Sequence, residues 1–375
     1  MWRGWAKWLA AVGAVVGCWY IGTSPAQPES RPATAKAEKD ARPVMAVATA
    51  EEFVKAIGPD RIIELAPGQY NLTKLTRRKL DHVRWTEAID GEYDLHIRDC
   101  PRLEIRGAGK EPVHIVINAG YASVLNFHNC PSLTLSNLEL GHEKILGYCT
   151  GGVVVIEGTT GVMIDRCLLY GCGIEGLTLT KVKDLTFRDS TVEKCTNNIL
   201  VARDCDKLAF ERSVFRRCTQ YGGFDFVDCM AVTFTDCQVE GNAVREPLFK
   251  TNLNADEARI IFTGGAIRRN TAKELASPAN MLTIKDADVK DNSWQATEEV
   301  RNFRSTISPL PGGGRTYITG PGVSSFSEVS HLVYGSIEHR QALEKANPKI
   351  TEPIQADTSI FCPDNPPKDV GPEKG

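Results

Sequence analysis

Five stretches between Val124 and Val239 repeat one pattern: VLNFHNCPSLTLSNLEL (124–140), VVVIEGTTGVMIDRCLL (153–169), LTLTKVKDLTFRDSTV (177–192), LVARDCDKLAFERSVF (200–215) and FDFVDCMAVTFTDCQV (224–239). Cysteines give the period: Cys172, Cys195 and Cys218 are spaced 23 residues apart, and Cys205 and Cys229 are spaced 24 apart. A repeat of this length is a supersecondary unit that cannot bury its own apolar face and must stack on its neighbours. Each unit holds two short runs that alternate with period 2 and are rich in Val, Ile, Thr and Phe, with no 3.6-residue periodicity, so the units are strands. Successive units then pair in parallel, residue over residue, about 4.8 Å apart. The chain is therefore expected to be an all-β solenoid, a parallel β-helix.

The alternation assigns sides. Leu125, Val154, Leu177, Leu200 and Phe224 point inward, as do Phe127, Ile156, Leu179, Ala202 and Phe226. Two rows point outward: Asn126, Val155, Thr178, Val201, Asp225, and His128, Glu157, Thr180, Arg203, Val227. Cys149, Cys172, Cys195, Cys218 and Asn242 form a column of small residues at a turn.

At these residues the chain resembles the right-handed parallel β-helix proteins of the pectin-lyase-like superfamily. More narrowly, NLELGHEKILGYCTGGVVV (137–155) and LLYGCGIEGLTL (168–179) resemble bacterial β-helix repeat proteins without an assigned activity. The resemblance implies a single right-handed coil over residues 47–292 and a lateral groove for an extended sugar chain. One scaffold hosts unrelated chemistries, so it does not choose a reaction.

Around the solenoid the chain changes character. Residues 1–26 read as a signal peptide or membrane anchor, with Arg3 and Lys7 ahead of the apolar run Trp8–Ile21 and small residues at Ser24–Ala26. Cleavage after Ala26, lipidation at Cys18 and an uncleaved anchor are all compatible with this stretch. Residues 27–46, rich in Pro, Ala, Lys and Glu, read as a disordered linker. Thr49-Ala-Glu-Glu52 is a capping-box pattern that opens a short N-terminal helix through Ile57, placed to cover the first coil, whose strand is Arg61–Leu65. From Tyr70 to Tyr93 the periodicity lapses, and Lys74, Arg77, Arg78, Lys79 and Arg84 gather with His82 and Trp85 in an expected long loop. Residues 293–375 carry Pro, Gly and Ser clusters with little repeat and read as a partly disordered extension.

Hydrophobic residues make up 42% and charged residues 24% of the 375, with net charge −3, a balance that argues against a nucleic-acid partner. The 12 cysteines sit largely at repeating positions, which suits stacking of small apolar side chains; Cys100, Cys130, Cys205 and Cys229 belong to such a ladder. Direct stacking seldom gives the Cβ vectors that a disulfide requires; Cys149 with Cys172 is the pair best placed to form one. No C-x-x-C occurs, and neither a metal site nor a cofactor is expected.

The candidate site residues follow from the outward rows and the long turns. Catalytic candidates are His142, Glu143, Glu157, Glu175 and Asp225, because paired acids flanking a glycosidic bond serve as general acid and base or nucleophile. A lyase would instead take a proton alpha to a uronate with a base such as His142. Substrate-binding candidates are Trp85, His128, Tyr148, Arg203, Arg217 and Tyr221. Polygalacturonases of the superfamily carry Asn-Thr-Asp, Asp-Asp, Gly-His-Gly and Arg-Ile-Lys segments; Gly141-His142-Glu143 matches one in part and the others are absent. The expectation is an extracytoplasmic monomer that binds, and in one reading cleaves, polysaccharide or a cell-surface glycan, touching membrane through its N-terminus only. The alternative is a non-catalytic structural or adhesive surface protein.

Overall fold

The computed structural model describes residues 40–88, 91–118, 121–143, 151–171, 174–252, 260–294, 307–309, 313–319, 325–334, 339–354 and 358–367. The chain divides at Ala41, and every element below belongs to the unit Arg42–Gly375.

Among the described residues, three long sheets run the length of the coil. Sheet I has ten strands, from Val44–Val47 to Leu282–Lys285. Sheet II has nine, from Gly68–Asn71 to Asp288–Lys290, and sheet III has nine, from Val83–Glu87 to Ala276–Ser277. Each coil contributes one strand to each sheet, and the pairing between coils is parallel and in register. Val154 lies between Leu125 and Leu177, and Leu200 lies between Leu177 and Phe224. Both inward columns expected from the alternation are buried, none of their residues more than 1% exposed.

The interior becomes aromatic towards the later coils. Phe187, Phe210, Phe234 and Phe262 follow one another up sheet I, and the rings of Phe210 and Phe234 stack at 4.7 Å. On the facing wall Phe224 stacks on Phe249 at 4.8 Å. Repetition of one side chain at one register position lets rings stack face to face as well as edge on, which adds to the burial of their large apolar area.

The coil bends at positions where the backbone is left-handed. Between sheets III and I these are Asp99, Asn129, Gly158, Lys181, Asp204 and Asp228, with φ between 51° and 59°. Asp, Asn and Gly dominate because they tolerate this region best. Just inside the bends sit the small polar ladders. Ser190 Oγ accepts the Cys167 backbone N–H at 2.9 Å, and Ser213 Oγ accepts that of Ser190 at 3.2 Å. Cys195, Cys218 and Asn242 share the next corner, where Asn242 Oδ1 accepts the Cys218 N–H at 3.0 Å. Every described cysteine is buried and none is in a disulfide, the role the repeat assigned to them; Cys149 and Cys172 lie outside the described residues.

Helix α1 (Ala50–Ala56) begins as the capping box indicates. Glu52 N–H donates to Thr49 Oγ1 at 3.1 Å, and Glu52 Oε2 accepts the Ala48 N–H at 2.8 Å. It buries Phe53 and Val54 against the first coil, where the Tyr70 hydroxyl donates to Val47 O at 2.9 Å.

Two segments are more ordered than the sequence suggests. The stretch 70–93, expected as one long loop, contains the strand Val83–Glu87, which pairs antiparallel with Tyr93–Arg98 and makes the end strand of sheet III. Beyond residue 306, an antiparallel sheet (Ile307–Pro309, Arg315–Ile318, Ser359–Cys362) accompanies α2 (Phe326–Tyr334) and α3 (Arg340–Ala346). These share a core of their own, with Tyr317, Phe326, Val329, Leu343 and Ile360. No described helix is long and apolar enough to cross a membrane.

Candidate functional site

Two polar constellations stand out, and both involve the Val83–Arg98 hairpin. The strand Tyr93–Arg98 alternates like every other strand of sheet III. Leu95 and Ile97 are buried in the core, and His96 belongs to the opposite face. Trp85 is in register with Leu95, packs against the same core and lines a cavity of about 80 Å³ with Arg77, Glu92, Tyr93, Thr73 and Ser123. The Arg77 guanidinium lies 3.4 Å from the centre of the Tyr93 ring. Backbone N–H groups fix the polar wall: Tyr121 donates to Glu92 Oε2 at 2.6 Å, Asn118 to Thr73 Oγ1 at 2.6 Å, and Gly152 to Ser123 Oγ at 3.1 Å. The Trp85 indole N–H is buried and has no hydrogen-bond partner. An aromatic edge, a stacked cation, an acid and two hydroxyls thus face one small space.

On the outer face, three side chains from three successive coils are joined end to end. His96 Nδ1 is 2.7 Å from His128 Nε2, and His128 Nδ1 is 2.9 Å from Glu157 Oε2. The two rings are 5.0 Å apart at 33°. His96 Nε2 is buried without a partner. Burial, then the neighbouring His128, holds His96 below the ordinary imidazole range, although Asp94 and Glu157 pull the other way.

The remaining sequence candidates are dispersed. His142 ends a strand of sheet II and is 1% exposed; its Nε2–H donates to Ala122 O at 3.1 Å and Nδ1 has no partner. Burial lowers its pKa. Gly171, with φ 102°, passes so close that a Cβ there would sit 3.0 Å from the His142 backbone nitrogen. Glu143 is exposed and accepts from Gln69 and Asn71, each at 3.1 Å. Glu175 opens a strand of sheet III; burial raises its pKa against the donors Thr178, Asn197 and Asn198.

Asp225 and Arg203 occupy the two outward rows, in register with Val201 and Val227 respectively. Arg217 has a left-handed backbone just past the strand Val214–Arg216, and exposed Tyr221 carries the Arg245 guanidinium 5.4 Å from its ring. Tyr148 lies outside the described residues.

The register also measures the acids against one another. Glu157 pairs with Thr180 on the neighbouring strand, five residues beyond Glu175, so the Glu157 and Glu175 Cα atoms are about 17 Å apart. Asp225 is two strands from Thr178 and is about 14 Å from Glu175.

His96, Glu92 and Tyr93 were not singled out by the sequence as site residues; Arg77 was, as one of the basic residues gathered with Trp85 into a wall suited to an anionic or sugar ligand. The signal for the first was present in the alternation Asp94-Leu95-His96-Ile97-Arg98, and Val83-Arg84-Trp85-Thr86 shows the same alternation on its partner strand.

Residues 114–274 match the family model described as the right handed beta helix region. No curated protein matches the chain. Among solved structures, it is similar to Escherichia coli YbhC (11% identity, 69% of this chain and 87% of that one, TM-score 0.40). Jun a 1, the major allergen from cedar pollen, matches at 12% identity over 68% of this chain and 79% of its own, with TM-score 0.42. An alginate lyase from Paenibacillus sp. matches at 13% identity over 66% and 99%, with TM-score 0.33. With coils stacked in parallel register and the family match across their middle, the solenoid is a parallel β-helix, right-handed as the matched family model describes.

Proposed function

We propose that this chain is a carbohydrate-binding β-helix protein and that the hairpin cavity receives one sugar residue of a polysaccharide or cell-surface glycan. The observation that carries the reading is the buried Trp85 N–H without a partner, beside the Arg77–Tyr93 stack and the Glu92 carboxylate. A sugar presents an apolar ring face to an aromatic side chain and hydroxyls to donors and acceptors, and small-molecule sites combine apolar walls with a few convergent polar groups. The protein is expected to act as a monomer outside the cytoplasm, with residues 1–26 as its export signal or anchor.

The test is a screen of the purified chain against uronate-containing and neutral glycans, following binding together with unsaturated and reducing ends. Binding that falls at least about tenfold in Trp85→Ala and Arg77→Ala, with thermal stability retained, supports the cavity. Binding indifferent to both substitutions removes it, and accumulation of cleaved products would make the protein an enzyme.

A further inference from the structure

The His96–His128–Glu157 chain lies across the end of the solenoid where sheet III is least supported. Strand Val83–Glu87 is the last of its sheet, and among the described strands its backbone ladder runs to Tyr93–Arg98 alone. His96 is on that second strand, His128 on the next (Leu125–His128), and Glu157 on the one after (Val154–Glu157). The three side chains therefore tie the hairpin to two further coils, in addition to the backbone ladder.

The hydrogen-bond pattern fixes where protons sit. Glu157 accepts from His128 Nδ1–H, so in the neutral pair His128 Nε2 is the acceptor and His96 Nδ1–H the donor. His96 Nε2 is then a bare, buried nitrogen with nothing donating to it. One added proton can be carried by His128, which would donate from both nitrogens, to Glu157 and to His96. A second leaves an N–H on each side of the 2.7 Å gap and no acceptor between them.

We propose that this chain is a pH-sensitive latch on the hairpin: closed at neutral pH, and released on acidification when both imidazoles are charged. The groups facing it decide the balance. His96 sees Asp94 and Arg98 on its own strand, Arg84 opposite it on the end strand, His128 on the next coil and Glu157 beyond. With both rings protonated, four cations (His96, His128, Arg84, Arg98) oppose two carboxylates, so repulsion is not cancelled locally. Tyr93 and Trp85, which line the cavity, belong to the two strands that the latch restrains. Release would thus loosen the cavity wall and discharge its ligand in acid; this consequence, though not the latch, rests on the cavity being the binding site.

Hydrogen exchange with mass spectrometry on the full chain tests the latch without a ligand. After correction for intrinsic rates, peptides covering 83–98 are expected to exchange at least about tenfold faster at about pH 5 than at about pH 7.5. Peptides covering 183–211 should not change. His96→Gln, or His128→Asn if the first variant does not fold, removes the acid-induced rise. Glu157→Gln moves its midpoint to higher pH, since the carboxylate favours the charged rings while the latch is closed and its loss also weakens one contact of the latch.

Equal protection of the hairpin at both pH values, an undiminished rise in His96→Gln, or a simultaneous loss across all coils would overturn the proposal. Glycan binding is scored separately in the same samples. A hairpin that opens in acid while no glycan binds at either pH removes the cavity and keeps the latch; pH-independent binding with no opening does the reverse.

Discussion

Asn242 and Asn270 occupy the same position on successive coils, and Asn270 Oδ1 accepts both the side-chain and the backbone N–H of Asn242, at 2.9 and 3.1 Å. Asn270 in turn donates to Val239 O and to Asn292 Oδ1 and accepts nothing from solvent, being 1% exposed. The ladder continues from Cys195 and Cys218, where a sulfur fills the same place with fewer bonds. Asn270→Ala leaves the buried Asn242 backbone N–H unpaired and its side-chain N–H groups with Phe215 O alone, and is expected to cost about 1 to 3 kcal/mol, the scale for an unsatisfied buried group. Urea denaturation of the purified chain measures it; a change under about 0.5 kcal/mol would mean the ladder is not formed.

The aromatic interior gives a second measurable quantity. Phe210 touches Phe187, Phe215 and Phe234 in the middle of the solenoid. Phe210→Ala is expected to lower stability by about 3 to 5 kcal/mol, because the stacked coils above and below cannot close the cavity. Phe210→Leu should recover most of that loss. Thermal melts of both variants decide it, and equal midpoints would contradict tight packing at this level.

Acid sensitivity follows from His142 as well as from the latch. Burial lowers the folded-state pKa of His142 below its ordinary value of 6.5, so the unfolded chain takes up the proton first. Its contribution is therefore complete above about pH 6.5 and is lost progressively as pH falls towards the folded-state value. Urea midpoints should decline from neutral pH towards about pH 5, and His142→Gln should flatten part of that decline. An unchanged slope in the variant would show that His142 is not buried neutral.

The cysteine ladders are expected to be chemically silent. Burial pushes the Cys167 thiol up to about 12 and the Cys237 thiol up to about 11, so neither supplies a thiolate at neutral pH. In the folded protein the described cysteines should resist alkylation for hours and react fully after unfolding, as mass spectrometry would show. Rapid labelling of the native chain would contradict the inward placement.

Most of the coil was legible in the sequence because period-2 alternation and a two-dozen-residue repeat leave one register that buries Leu177 over Val154 and under Leu200. The turn column of Cys195, Cys218 and Asn242 was legible for the same reason, since these residues recur at one corner of successive repeats. What escaped was the non-repeating part. The strand Val83–Glu87 pairs antiparallel at the sheet's end, so no neighbouring repeat announces it, and basic residues around it look like a solvated loop. The site was less legible still. His128 and Glu157 could be placed in one row, but His96 joins them diagonally from the position opposite Asn126, and only side-chain directions reveal that.

The coil register is the claim on which cavity and latch both depend, and a distance between spin labels at Thr134→Cys and Thr283→Cys tests it most directly. These residues lie six strands apart in one column of sheet I, through Met163, Thr186, Ala209, Thr233 and Ile261. Six parallel steps put them about 29 Å apart. A narrow distribution centred near that value is expected; a broad one, or a mean beyond about 40 Å, would contradict a single parallel coil.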